Sequence, residues 1–180
     1  MTAPRRRLEI RKAREGAVIG ELVVRAMTVT HTPGAVKKFR RTPWRFQQTV
    51  ERPRPDQLQG FVSTITAAHE QIEEATVTID QIVFGTERMT ALCPAGSELP
   101  LIRESSLSAR AEEEVEALLV AAFMDGPDFI FIPAPKPFVF YADHDDWITF
   151  YANTKSHLNH IIEPLASHGY KLVQNWQREL

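Results

Sequence analysis

Eight apolar residues recur at spacings of 3, 4, 3, 4, 3, 4 and 3: Leu58, Phe61, Ile65, Ala68, Ile72, Ala75, Ile79 and Ile82. Residues three and four apart share one face of a helix, so the pattern predicts a long amphipathic helix over 56–85 whose seam must pack against something long. Pro55 stops the chain before it, Asp56 places a negative charge in its first turn, and Gly85 stands at its end as a natural stop. Alternation of Ala with Ile in the seam suggests close approach of backbones, as in a tight bundle or a helix pair. Opposite charges at the flanking heptad positions do not form a convincing pattern. Thr64, Thr66, Thr76, Val77 and Thr78 lower helix propensity, and Thr76 to Ile79 also reads as a strand. Three readings therefore stand. The helix docks on its own domain; or it presents Leu58, Phe61, Ile65, Ile72 and Ile79 as an interface for oligomerisation or a partner; or it breaks near Thr76 into a strand.

Charge is divided at the start of this stretch. Residues 1–55 hold 14 Lys and Arg against 4 Glu, whereas residues 56–180 hold 7 against 19 Asp and Glu, for an overall net charge of -2. Such asymmetry points to a basic segment that meets an anionic partner, either nucleic acid or an acidic protein surface. No apolar run approaches the roughly 20 residues of a membrane helix, so no membrane partner is expected. The opening MTAPRRRLEIRKAREG is basic and is not followed by an apolar core, which argues against a secretory signal. Cys93 is the single cysteine, so an intrachain disulfide is excluded and a reducing, cytoplasmic setting is expected.

In order, the chain divides into a basic arm (1–16), a basic β/α segment (17–55), the heptad helix (56–85) and an acidic α+β body (86–180). Ala17 to His31 is rich in Val, Ile and Thr and predicts one strand or two short ones, with a turn at Thr32-Pro33-Gly34. Thr42-Pro43 looks like a cap followed by Pro at the first helical position, opening a short helix through Trp44 and Phe46. Ser106 or Ser108 is read as the cap of a helix carrying Glu112, Glu113 and Glu114 in its first turns. Phe129 to Ile132 is an apolar strand. Finally, Phe138 to Ala142, the turn Asp143-His144-Asp145-Asp146, Trp147 to Ala152, a helix from Lys155 capped by Asn153-Thr154, and Tyr170 to Trp176 predict a hairpin–helix–strand unit. The fold class expected is α+β, with a small mixed sheet, this C-terminal unit, one long helix and a basic N-terminal arm.

Two constellations carry chemistry. Arg5, Arg6, Arg7, Arg11 and Lys12 form one basic cluster, and Lys37, Lys38, Arg40, Arg41 and Arg45 form another, interleaved with Phe39 and Trp44. Cations neutralise phosphates and aromatic rings stack on unpaired bases, so both clusters are candidate nucleic-acid or anion contacts. The bland alternative is an amphipathic helix with core aromatics and solvated cations. The second constellation is Asp143, His144 and Asp145 with His157 and His160, which are three apart on one helical face; converging, they would hold a divalent metal for hydrolysis. No glycine-rich phosphate loop, nucleophile elbow or cysteine-based zinc pattern occurs. The reading favoured is a non-enzymatic interaction protein that needs no cofactor and engages a protein partner, a second copy of itself or nucleic acid. The alternative is a metal-dependent hydrolase or nuclease built on the Asp143–Asp146 turn.

Overall fold

Along residues 75–80 and 106–109 apolar and polar side chains alternate with period two, which gives that part of the sheet two chemically different faces. The computed structural model describes residues 16–19, 22–25, 27–68, 72, 74–95 and 100–180; Arg5, Arg6, Arg7, Arg11 and Lys12 of the expected basic arm lie outside them. A two-stranded ribbon of β1 (Gly16–Ile19) and β2 (Leu22–Arg25) precedes the main sheet. That sheet contains β3 (Thr28–His31), β4 (Phe46–Glu51), β5 (Glu74–Gln81), β6 (Ser105–Ala109), β7 (Asp128–Ala134), β8 (Val139–Ala142), β9 (Trp147–Ala152) and β10 (Leu172–Val173). Its eight strands lie in the order β10-β4-β9-β8-β7-β5-β6-β3. All its pairings are antiparallel, which replaces the small mixed sheet expected with a larger, uniform one. Five helices accompany it among the described residues: α1 (Ala35–Arg41), α2 (Leu58–Ala67), α3 (Glu87–Ala91), α4 (Glu112–Asp125) and α5 (Lys155–Ser167). The class is α+β.

One face is apolar. Val77 and Ile79 of β5, Leu107 of β6, Phe129 and Phe131 of β7, Phe140 of β8 and Phe150 of β9 join Phe61 and Ile65 of α2, Leu118 and Leu119 of α4, and Ile161 and Leu165 of α5 in a single buried core. Rings dominate its centre, with Phe131 and Phe140 stacked at 4.8 Å between centroids and Phe150 tilted against Phe140 at 5.2 Å. Helices α2 and α4 are also clasped by Glu116, which accepts from Ser63 at 2.8 Å, Thr66 at 2.9 Å and Gln59 at 3.2 Å.

The continuous helix expected over 56–85 is not formed. A 3₁₀ turn at Pro55–Gln57 leads into α2, which ends after Ala67, and the second half of the heptad stretch is β5. A spacing of four is even, so Ala75 and Ile79 share a face in a strand as well as in a helix; both are fully buried. A spacing of three is odd and reverses the face in a strand. Ile82, three residues after Ile79 and just past the end of β5, is 38% exposed. The Thr76-Val77-Thr78-Ile79 run of β-branched residues, flanked by partners on both sides, decides for strand.

Other local expectations fall the same way. Ser106 and Ser108 cap nothing: they lie on β6, between β5 and β3. Thr42-Pro43 follows a helix, α1, and precedes the strand β4. Tyr170 to Trp176 yields only the two-residue β10. The hairpin–helix unit of β8, β9 and α5 forms as expected, with the Thr154 hydroxyl accepting from the His157 amide at 3.1 Å. Gly126 ends α4 in the left-handed region at φ 75, where a side chain would be strained and would press on Phe84.

Candidate functional site

The second face of the sheet is built from the other half of each alternation. Register places Thr30, Ser106, Thr78 and Ile130 in one row across β3, β6, β5 and β7, and Thr28, Ser108, Thr76 and Ile132 in the next. Hydroxyls pair across the strands, Thr78 with Ser106 at 2.8 Å and Thr76 with Ser108 at 3.2 Å. Further along, Thr49 and Thr149 pair at 2.9 Å. Helix α1 lies over the middle of this face through Val36 and Phe39, which pack with Ile130, Val139, Tyr141 and Tyr151 in a second, smaller core. Phe39 meets the Tyr151 ring edge-on at 5.4 Å and stacks on Tyr141 at 6.0 Å.

Beside α1, a groove of about 520 Å³ opens over β3, β6 and β5. Seven hydroxyl-bearing side chains line it (Thr30, Thr32, Thr42, Thr76, Thr78, Ser106 and Ser108), with Phe39 and Ile132 as its apolar part. Its charged lining residues are Lys38 of α1 and Lys136 after β7. Burial pushes the Lys136 ammonium below its ordinary pKa, and the like charge of Lys38 pushes it further the same way. Lys136 also sits over the Trp44 ring, 5.2 Å from its centroid.

Between α1, the start of β7 and the chain after β10 runs a partly buried polar network. Asp80 accepts from Arg40 at 2.6 Å, from Arg103 at 3.2 Å and from the Tyr141 hydroxyl at 2.9 Å. Asp128 holds the His144 ring at 2.7 Å and its backbone N–H at 2.8 Å. Arg178 binds Asp143, lies 4.3 Å over the Tyr141 ring, and donates its backbone N–H to Gln47 at 3.1 Å. Burial, then the charges of Asp80 and Asp128, push the Tyr141 hydroxyl well above the ordinary tyrosine range. His144 is raised chiefly by its hydrogen bond to Asp128, against partial burial, with help from the charges of Asp128, Asp145 and Asp143. With each carboxylate matched to a cation or a donor, the network is arranged to hold elements together.

Against the residues singled out from sequence, the structure sorts cleanly. Lys37, Lys38, Arg40 and Arg41 share α1, and Arg45 follows it. Trp44 is half-buried against Phe39 and Tyr151, so its ring is used for packing and is not an open stacking platform. Leu58, Phe61, Ile65 and Ile79 are buried in the main core, and Ile72 packs partly buried against it. The metal-ligand set is corrected: Asp143 is held by Arg178 and His144 by Asp128, while Asp145, His157 and His160 are exposed. Among the described residues, no three His, Cys, Asp or Glu side chains converge to hold a metal ion.

Sequence reasoning missed Lys136, the hydroxyl rows, and the roles of Asp80, Asp128, Tyr141 and Arg178. A signal existed for the rows: Thr76 and Thr78, like Ser106 and Ser108, are polar pairs two apart beside an apolar residue, as a two-faced strand requires. No helix among the described residues is long and apolar enough to cross a membrane. Comparison with protein-family models, curated proteins and solved structures returns no match, so any functional reading rests on this geometry.

Proposed function

We propose that the protein is a non-enzymatic binding protein whose basic N-terminal segment holds the phosphate backbone of a nucleic acid, with the groove beside α1 as its anchoring point. One observation carries this reading: Lys38 and Lys136 repel one another across a groove lined by hydroxyls and by no carboxylate. An anion between them would relieve that repulsion, and hydroxyls supply neutral donors to phosphate oxygens. Lys37 and Arg41 on the exposed side of α1 extend the positive surface. Because Phe39 and Trp44 face the small core, contact is with backbone and not with stacked bases, and sequence preference is weak. The acidic remainder of the chain would confine the nucleic acid to this end.

The test is fluorescence polarisation of the full chain with labelled single- and double-stranded oligonucleotides across a salt series. Binding should weaken as salt rises, and Lys38→Ala with Lys136→Ala together should flatten the logarithmic salt slope by roughly 2, about one per lost phosphate contact. An unchanged slope in the double variant removes the groove from the account. If poly-glutamate binds and no oligonucleotide does, the partner is an acidic protein surface instead.

A further inference from the structure

A second cavity, about 340 Å³, opens where α1 runs into β4. Trp44 lines it and packs against Phe39, which lines the lysine groove, at 6.1 Å between ring centroids. Its lining supplies the guanidinium groups of Arg40, Arg45 and Arg178 and no carboxylate side chain. Two of its lining residues also carry donors without acceptors: Trp44 Nε1 and Tyr151 Oη are buried without a hydrogen-bond partner. Tyr151 is only 1% exposed. An indole N–H can only donate. Burial pushes the Tyr151 hydroxyl well above the ordinary tyrosine range, so at neutral pH it is also a donor; Arg178 opposes that shift. Thr149, two residues earlier on the same face, lies near enough to ease ionisation, but it is engaged with Thr49 at 2.9 Å and is not in hydrogen-bond geometry with Tyr151. Buried donors left unmade are rare and unfavourable, and an acceptor-bearing ligand repairs both at once.

Charge narrows the ligand class. Arg40 is committed to Asp80 and Arg178 to Asp143, whereas Arg45 makes no ion pair with any described residue. Of the three lining guanidinium groups only Arg45 is left without an ion pair among the described residues, which suits a monoanion better than a phosphate dianion. Its size falls at the small end of ligand pockets. We propose that this cleft binds a carboxylate, which accepts from Trp44 Nε1 and Tyr151 Oη while Arg45 neutralises its charge. Both donor atoms are covered, so the ligand must displace flexible side chains at the rim, where Arg45 and Gln177 are exposed. The same group is carried by a free organic acid and by the glutamate side chain of a peptide.

Proton–nitrogen NMR of the full chain tests this through the Trp44 indole signal, titrated separately with sodium benzoate, acetyl-Gly-Glu-Gly-amide and phenyl phosphate. The signal should shift saturably with benzoate or with the peptide, and the tighter of the two identifies the source. Tyr151→Phe and Arg45→Gln should each weaken that binding about tenfold, the value of one charge-assisted hydrogen bond. Arg45 is exposed, so its variant keeps the test decisive even where the tyrosine change disturbs folding. A Trp44 signal unmoved by both carboxylates, movement by phenyl phosphate alone, or wild-type affinity in Arg45→Gln overturns the proposal. Binding at the lysine groove is not required for any of these outcomes.

Discussion

Phe140 and Tyr141 are neighbours on β8, and they serve opposite faces of one sheet. Phe140 is fully buried among Phe123, Phe129, Phe131 and Phe150 beneath the helices. Tyr141 is almost as buried, yet its hydroxyl reaches Asp80 and Asp128, and Arg178 lies on its ring. The face under α2, α4 and α5 removes the larger apolar area from water, which is the main favourable term in folding. Outside the smaller core under α1, the other face keeps hydroxyls and charges whose net contribution to stability is small, because each pair replaces bonds to water. A sheet can therefore draw its stability from one side and leave the other free to carry groups suited to ligands.

The largest break in this comparison is Phe140→Ala. It empties a ring site in the densest part of the core and should cost about 3–5 kcal/mol in urea denaturation. A loss near 1 kcal/mol would mean that the aromatic cluster is not the main source of stability. Asp80→Ala on the opposite face should cost less, about 2 kcal/mol, since Arg40 and Arg103 are half-exposed and turn to water while the buried Tyr141 hydroxyl keeps only its longer contact with Asp128. Equal losses for the two variants would erase the distinction between the faces.

A smaller effect depends on pH. His144 titrates higher in the folded chain than its ordinary 6.5, so its bond to Asp128 stabilises most below that value and is lost as pH rises through the folded pKa. The stability difference between wild type and His144→Gln should therefore be largest near pH 5.5 and shrink by pH 8; a difference that grows with pH would show that the pair does not form. The smallest effect is expected from Thr78→Val with Ser106→Ala. Removing both partners of a hydroxyl pair should leave stability within about 0.5 kcal/mol while weakening anion binding in the groove. A large loss of stability instead would assign those hydroxyls to folding.

Where the sequence was legible, local chemistry was enough. The Asp143–Asp146 turn between two aromatic, β-branched runs marks β8 and β9, and Thr154 marks the start of α5, because turns and caps are decided by residues in contact along the chain. The heptad stretch misled for a definable reason: Ala75 and Ile79 satisfy both a helix and a strand period, and the tie is broken only by β6 and β7, which lie about 30 and 55 residues further along the chain. A Ser next to an acidic run has the local signature of a helix cap, and only the pairing of Ser106 and Ser108 with Thr78 and Thr76 makes these residues part of β6.

The candidate site was hardly legible. Lys38 stood out within a basic run, but Lys136 lies in a proline-rich connector 98 residues away, and only α1 resting on the second face brings the two to one groove. Tyr151 and Trp44 meet through the same docking. By itself, the sequence determined the α+β class, the C-terminal hairpin and helix, and the division of charge at residue 55, since composition, turn chemistry and caps act locally. Strand order, the helix-to-strand change inside the heptad stretch, and the gathering of lysines, hydroxyls and unpartnered donors on one face were decided by tertiary structure. Register between distant strands determines which side chains share a row, and no short-range pattern carries that register.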